Sequence, residues 1–281
     1  MCELATLQRI SESAQGPGFC FRLYTEEAFN GLAAAAEPEI RRCSLTQSVL
    51  ELKCLGQDFE AVEFMDPPDI NSGVLFNNAH SGFLLNCTAV VAALKTLWIL
   101  GALNNSKALT PLGRQMASFP VEPYLACIIL ASNNHGCTSE VIDIVSLISS
   151  SSTLFLDVTD QRDAIADARS KFRHPSGDHL TMLNALRAYQ EMAQSESKGS
   201  RRDWCRQHFL NERTFTEALK IRDQLRLTCQ RAKLDWRASK KDNEEAILRS
   251  FTAGLIQNSA LLQPDGTYKQ LMGHSVSSIL S

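Results

Sequence analysis

From about residue 121 to residue 235 the apolar positions keep helical spacing almost without a break. YLACIILASNNHG is apolar nearly throughout and closes at Gly136. CTSEVIDIVSLISSSS opens on Thr138 or Ser139 as a cap, with Glu140 early in the first turn. DQRDAIADARSKF and LTMLNALRAYQEMAQ are amphipathic, separated by the turn HPSGDH. SESKGSRRD reads as a loop by its composition, and WCRQHFL and NERTFTEALKIRDQLRLTCQRAKL predict two more helices. Each apolar stripe needs a neighbour to cover it, so this region is expected to be a helical bundle.

The flanks are patterned differently. Pro38 can start a helix; Ile40, Leu45, Val49, Leu50 and Leu52 continue it, and Gly56 stops it. VEF predicts a short strand ahead of a double-Pro turn. A helix carrying Val91, Leu94, Leu97 and Trp98 ends near Gly101, and ALNNSKALT reads as a small hairpin around Asn104 and Asn105. Thr110 then caps a helix that begins at Pro111 and ends before Pro120. Helix, helix, hairpin is the outline of a winged helix. Near the N-terminus FCFRLY alternates as a strand behind a Gly-Pro-Gly turn, with no evident sheet partner. FTAGLIQNSALLQPDGTYKQL turns β-like around PDG. The expected fold class is mainly α: a winged helix plus a helical bundle, with one strand near the N-terminus and a partial β segment at the C-terminus.

Composition changes this picture little. The chain has 281 residues, enough for two ordinary or three small domains, with 44% hydrophobic and 21% charged residues. Its net charge of −3 hides an asymmetry: the stretch 198–249 holds 14 Lys and Arg against 8 Asp and Glu. That stretch carries +6, which leaves −9 on the rest. Such a region suits a local anionic partner, or is the solvated face of helices. The nine cysteines form no CxxC pair, which argues against a zinc ribbon and a secreted disulfide scaffold. No basic stretch followed by an apolar run opens the chain, and the apolar run 89–103 contains Lys95 and is too short to span a bilayer. A reducing compartment, the nucleus or cytoplasm, is expected, with no secretion and no membrane partner.

The candidate chemistry is sparse. No GxxxxGK[ST], HExxH, GxSxG or kinase motif set occurs. His174, His179, Cys205 and His208 could be drawn together as a metal site, but their spacing matches no usual ligand pattern, and no metal is expected. Asp178 and His179 open a helix; the expected role is structural, with Asp178 as a cap and His179 packed nearby. On the helix around 214–233, Ala218, Ile221, Leu225 and Cys229 make an apolar stripe. Arg222 and Arg226 stand one turn apart with Lys220 close by, a spacing that can grip successive phosphates or form the wet side of the helix.

The order of motifs carries a resemblance. GPGFCFRLYTEEAF, PEIRRCSLTQSVLELKCLG, EFMDPPDIN, VAALKTLWILGAL, LTPLGRQMASFPVEP, GDHLTMLNALRAY and DWCRQHFLNERTFTEALKIRDQL run in register over most of residues 16–270. Together they resemble the C-terminal half of DEAH-box ATP-dependent RNA helicases. The resemblance implies residues 1–37 as the remnant of a second RecA-like domain, 38–120 as a winged helix, 121–235 as a helical ratchet bundle and 236–281 as the start of an OB fold. It implies RNA as partner, with Lys220, Arg222 and Arg226 as candidate contacts, and a G-patch-type activator protein. It also implies a nuclear protein whose full-length relatives use ATP and Mg. FCFRLY resembles the last strand of the RecA-like sheet.

The chain departs from the family in two places. Gln8 and Arg9 resemble the start of the motif QRxGRxGR, whose arginines contact the nucleotide, but ISESAQ follows in place of its glycines and later arginines. No phosphate loop or DEAH tetrapeptide is present, so no cofactor is expected in this chain and no catalytic residue is assigned. About seventeen residues at 72–88, SGVLFNNAHSGFLLNCT, stand where the family passes directly from DIN to VAALKTLW. They are either a functional loop or a retained intron; Gly73 and Val74 fit the GT that opens an intron, and the intron reading is preferred. Two functions follow: a part of an RNA-helicase motor that lacks ATPase activity alone, or a non-catalytic RNA- or protein-binding regulatory module.

Overall fold

The computed structural model describes residues 12–13, 16–17, 23–32, 38–65, 88–157, 161–195, 198–240, 243–264 and 266–271. Gln8 and Arg9, most of FCFRLY and residues 72–87 of the insertion lie outside them. The chain divides into two compact units, Met1–Leu45 with Glu60–Val91, and Thr46–Phe59 with Ala92–Ser281.

In the first unit, β1 (Glu12–Ser13) pairs antiparallel with β2 (Gly16–Pro17), so Gly16 and Pro17 of the expected turn lie in a strand. α1 (Glu26–Asn30) starts at Thr25, whose hydroxyl accepts from the Ala28 N–H at 3.2 Å. The single helix expected from Pro38 to Gly56 is two: α2 (Glu39–Arg42) stops at an extended Cys43, and α3 (Thr46–Cys54), which belongs to the second unit, begins anew. The strand expected at VEF is also absent, since residues 62–65 have no regular structure.

The second unit contains the wing and the bundle. α4 (Thr88–Ile99) ends before Gly101, whose φ of +75° closes it. Its buried residues are Val90, Ala93 and Leu97; Val91 and Trp98, named with Leu94 and Leu97 in the expected helix, are exposed. The Trp98 indole N–H instead donates to Asn105 Oδ1 at 2.9 Å. The hairpin is a single turn closed by the Leu103–Leu109 bridge. Asn104 Oδ1 organises it, accepting from the Ser106 and Ala108 N–H groups at 3.0 and 2.9 Å. Thr110 Oγ1 then accepts from the Gly113 N–H at 3.0 Å and starts α5 (Pro111–Met116). A Cβ at Gly113 would collide with the Ala102 carbonyl, so the wing packs this closely only because that residue is glycine.

In the bundle, α6 (Pro123–His135) closes at Gly136 with φ +69°. α7 (Thr138–Ile148) is the hub: it packs against α6, α9 (Asp178–Ser195), α11 (Glu212–Arg231) and α12 (Glu244–Leu255). Neither Thr138 nor Ser139 caps it. Cys137 occupies the cap position without a side-chain bond, and the Ser139 N–H goes to the Ala238 carbonyl at 2.9 Å. α8 (Arg162–Ser170) buries Ile165 and Ala168. A core of Leu147, Leu154, Phe172, Leu186, Tyr189 and Phe215 fills the centre, with the Tyr189 and Phe215 rings stacked at 4.2 Å.

SESKGSRRD is not the loop its composition suggested. From Lys198 it is helical, as the start of α10 (Lys198–Gln207). Lys and Arg favour helix once a tertiary anchor exists. Cys205 is buried and Trp204 packs on Phe172 and Tyr189, while Arg201 Nη2 donates to the Ala193 carbonyl at 2.8 Å near the end of α9. Beyond α12, β3 (Ala260–Leu262) and β4 (Tyr268–Gln270) form the expected antiparallel pair, Leu261 opposite Lys269.

Candidate nucleic-acid interface

The serine run after α7 cannot prolong the helix, because its hydroxyls compete for backbone groups: Ser150 Oγ donates to the Leu147 carbonyl at 2.6 Å. The loop is instead pinned along α11. The Thr214 hydroxyl reaches the Ser152 and Thr153 carbonyls, each at 3.2 Å. Ser151 donates through its N–H and hydroxyl to the Glu217 carboxylate, at 3.2 and 2.7 Å. Those bonds hold Glu217 below the usual carboxylate range. The Leu156 and Asn211 N–H groups close a short bridge to the Phe209 and Leu154 carbonyls.

Opposite this fixed loop lies α8, and α9 supplies the floor. The three enclose an open cleft of about 1210 Å³. Ile165 and Met182 make part of its apolar base, and three arginines, Arg162, Arg169 and Arg173, line it against two carboxylates, Asp157 and Asp178. Arg169 is held by Asp157 at 2.7 Å and lies 5.3 Å from the centre of the Phe155 ring. Among the described residues no carboxylate pairs with Arg162 or Arg173. Guanidinium groups over an apolar base, beside hydroxyls and backbone amides, suit a flexible anionic chain: cations meet phosphates and the base meets exposed nucleobases. In the sequence Arg162 and Arg169 belonged to an ordinary amphipathic helix and Arg173 followed it, and only the loop across from them makes a cleft.

The expected phosphate-gripping residues on α11 sit differently. Lys220 is exposed. Arg222 and Arg226 are only 17% and 26% exposed and converge on Asp143 of α7, at 3.7 and 4.0 Å. Asp223 lies 3.8 and 3.7 Å from them, and the Arg226 guanidinium lies 5.0 Å from the centre of the Trp236 ring. Burial pushes the Asp143 carboxyl above its usual range, although Arg222, Arg226 and Arg187 draw it down. One turn earlier, Glu140 is 3% exposed; its Oε1 accepts from the Ser239 hydroxyl and stands 3.8 Å from Arg187. Sequence reasoning took Glu140 for a first-turn carboxylate and overlooked Asp143. The available signal was two carboxylates three apart in an otherwise apolar helix.

The remaining candidates have local roles. Asp178 is the first helical residue of α9, in the turn where a carboxylate favours the helix dipole. His179 packs on Phe251, ring centres 4.3 Å apart, and burial lowers its pKa. His174 Nε2 meets Glu244 at 3.0 Å. His208 Nδ1 bonds the Trp204 carbonyl at 2.9 Å, and burial pushes the Cys205 thiol up to about 12. Among the described residues no three His, Cys, Asp or Glu groups are placed to hold a metal ion, and no helix is long and apolar enough to cross a membrane.

Comparison with known proteins agrees with this architecture. Residues 93–121 match the family described as helicase associated domain (HA2), winged-helix, and residues 122–182 match helicase associated domain (HA2), ratchet-like. The chain is 32% identical over 280 residues to the ATP-dependent RNA helicase DHX33 of Mus musculus, covering 95% of this chain and 36% of the relative. It is 33% identical over 256 residues to the probable ATP-dependent RNA helicase DHX35 of Pongo abelii, covering 90% of this chain and 32% of that protein. The chain thus spans about a third of the length of the curated relatives it matches. The wing and ratchet-like bundle make it a protein of helicase-associated domains. Over 90–95% of its length the chain is similar to a part of these ATP-dependent RNA helicases.

Proposed function

We propose that this chain supplies the C-terminal RNA-channel domains of an ATP-dependent RNA helicase that unwinds RNA or remodels ribonucleoproteins, and that alone it does not hydrolyse ATP. The observation that carries the RNA reading is the cleft of α8, α9 and the pinned serine loop, where Arg162 and Arg173 face open space without carboxylate partners among the described residues. Lys220 adds an exposed cation on α11, while Arg222 and Arg226 serve first as the counter-ions of Asp143. Charge neutralisation of ATP and Mg calls for a phosphate loop and an acidic metal-binding motif, and neither motif is in these 281 residues. Residues 1–37 are read as the remnant of a second RecA-like domain, and 236–281 as the start of an OB fold. A nuclear location and a G-patch-type activator belong to the same reading.

The test uses the purified 281-residue chain and a fluorescein-labelled single-stranded oligouridylate. Anisotropy should report binding that weakens steeply between ~50 and ~200 mM salt, as phosphate contacts do. The double variant Arg162→Glu with Arg173→Glu should lose it. RNA binding unchanged in that variant, or RNA-stimulated ATP turnover by the wild-type chain, would overturn the corresponding half of the proposal. Absence of any RNA binding would favour a protein-binding regulatory module.

A further inference from the structure

A second cavity, of about 370 Å³, lies between α7 and α9 beside Ser239. Its wall carries three carboxylates, Glu140, Asp143 and Glu191, against one guanidinium, Arg187. Gln190 and Gln194 add amide oxygens. Two of its acceptors, Glu140 Oε2 and Asp143 Oδ1, are buried and have no hydrogen-bond partner, and of the two residues only Asp143 has Arg222 and Arg226 beside it. A buried carboxylate oxygen without a donor costs free energy, and the wall gives Glu140 Oε2 none. Arg187 reaches only the other Glu140 oxygen, at 3.8 Å, and is itself 40% exposed. Arg222 and Arg226 do not line the cavity; they engage Asp143 and leave Glu140 and Glu191 in excess of Arg187 by one charge.

We propose that this cavity is a binding site for a primary alkylammonium group. One positive charge balances the wall. An ammonium brings three donors to a place rich in acceptors, with Glu140 Oε2 as the principal one and the glutamine oxygens beside it. The volume, at ~30 Å³ per water, holds such a group with several methylenes or waters. A free polyamine and a lysine side chain of a partner protein both supply this chemistry. The site is separate from the arginine-lined cleft and does not depend on RNA binding there.

Calorimetry on the full chain, with spermidine in one arm and Nα-acetyl-lysine amide in the other, tests this. Saturable binding of one equivalent in either arm is expected, and the arm that binds more tightly identifies the source. Glu140→Gln should weaken it about tenfold or more, because a charge-assisted hydrogen bond is lost. If Glu140→Gln does not fold by circular dichroism, Glu191→Gln at the exposed mouth should weaken binding severalfold without changing the fold. No binding in either arm, or binding unaltered by both substitutions, would overturn the assignment. So would equal displacement by Mg²⁺ of several equivalents, the mark of diffuse charge screening.

Discussion

Two groups of arginines lie in the same bundle and have opposite fates. Arg222 and Arg226 project from α11 onto a buried carboxylate and are mostly covered. Arg162, Arg169 and Arg173 line an open cleft, and among the described residues only Arg169 has a carboxylate partner at short range. By spacing alone the first pair is the better phosphate clamp, since its members stand one helical turn apart. What separates the groups is the element facing each: α7 presents Asp143 to α11, whereas α8 faces a loop of serines. A cation's availability to a ligand is therefore decided across the interface and not along its own helix.

The contrast can be broken experimentally. Its largest expected effect is on stability: Asp143→Ala leaves two largely covered guanidinium groups with the exposed Asp223 as their remaining carboxylate and should cost about 1–3 kcal/mol. Urea unfolding would show it, and an unchanged midpoint would mean that the arginines are solvent groups after all. Next comes the cleft's rigid wall. Thr214→Val leaves the Ser152 and Thr153 carbonyls without their buried donor and should cost about 1–3 kcal/mol. Hydrogen exchange at residues 150–156 should rise with it; exchange that stays at wild-type rates would show that the loop is held by other bonds.

A smaller effect concerns α9. His179 is neutral in the fold because burial lowers its pKa below that of the unfolded chain, near 6.5. The unfolded chain then binds the extra proton first. Stability is full above about pH 6.5 and falls as the pH drops towards the lowered folded-state value. His179→Gln should flatten that part of the profile in thermal melts recorded from pH 7 to pH 5; an identical slope would assign it to other groups. The smallest stability change is expected for Arg162→Glu with Arg173→Glu, within about 0.5 kcal/mol each, since neither arginine anchors the fold. Loss of RNA binding without loss of the melting transition would put the two groups of arginines in separate roles, and a collapsed transition would put them in the same one.

Much of the architecture was legible in the amino-acid order. Thr110 before Pro111, and Gly101 and Gly136 at helix ends, occupy the positions expected of them, because caps and left-handed closures act within a few residues. Of the stripe Ala218, Ile221, Leu225 and Cys229, all but the half-buried Ile221 are fully buried, for the same local reason of periodicity. The failures are equally specific. Trp98 was named among the apolar residues of its helix, yet its N–H found Asn105 on the surface. The segment from Lys198 looked like a linker until Trp204 and Cys205 found the aromatic core.

The sequence by itself determined most of the helical segments, where most of them stop, and that a wing precedes a bundle, since these follow from backbone propensities and side-chain periods a few residues long. Only the tertiary structure decided which charges are covered and which face a cavity. The field at Arg222 comes from Asp143, 79 positions earlier in the chain, and the opening before Arg162 comes from a loop pinned by Thr214. Coulomb attraction and desolvation act through space, over distances that chain order does not encode.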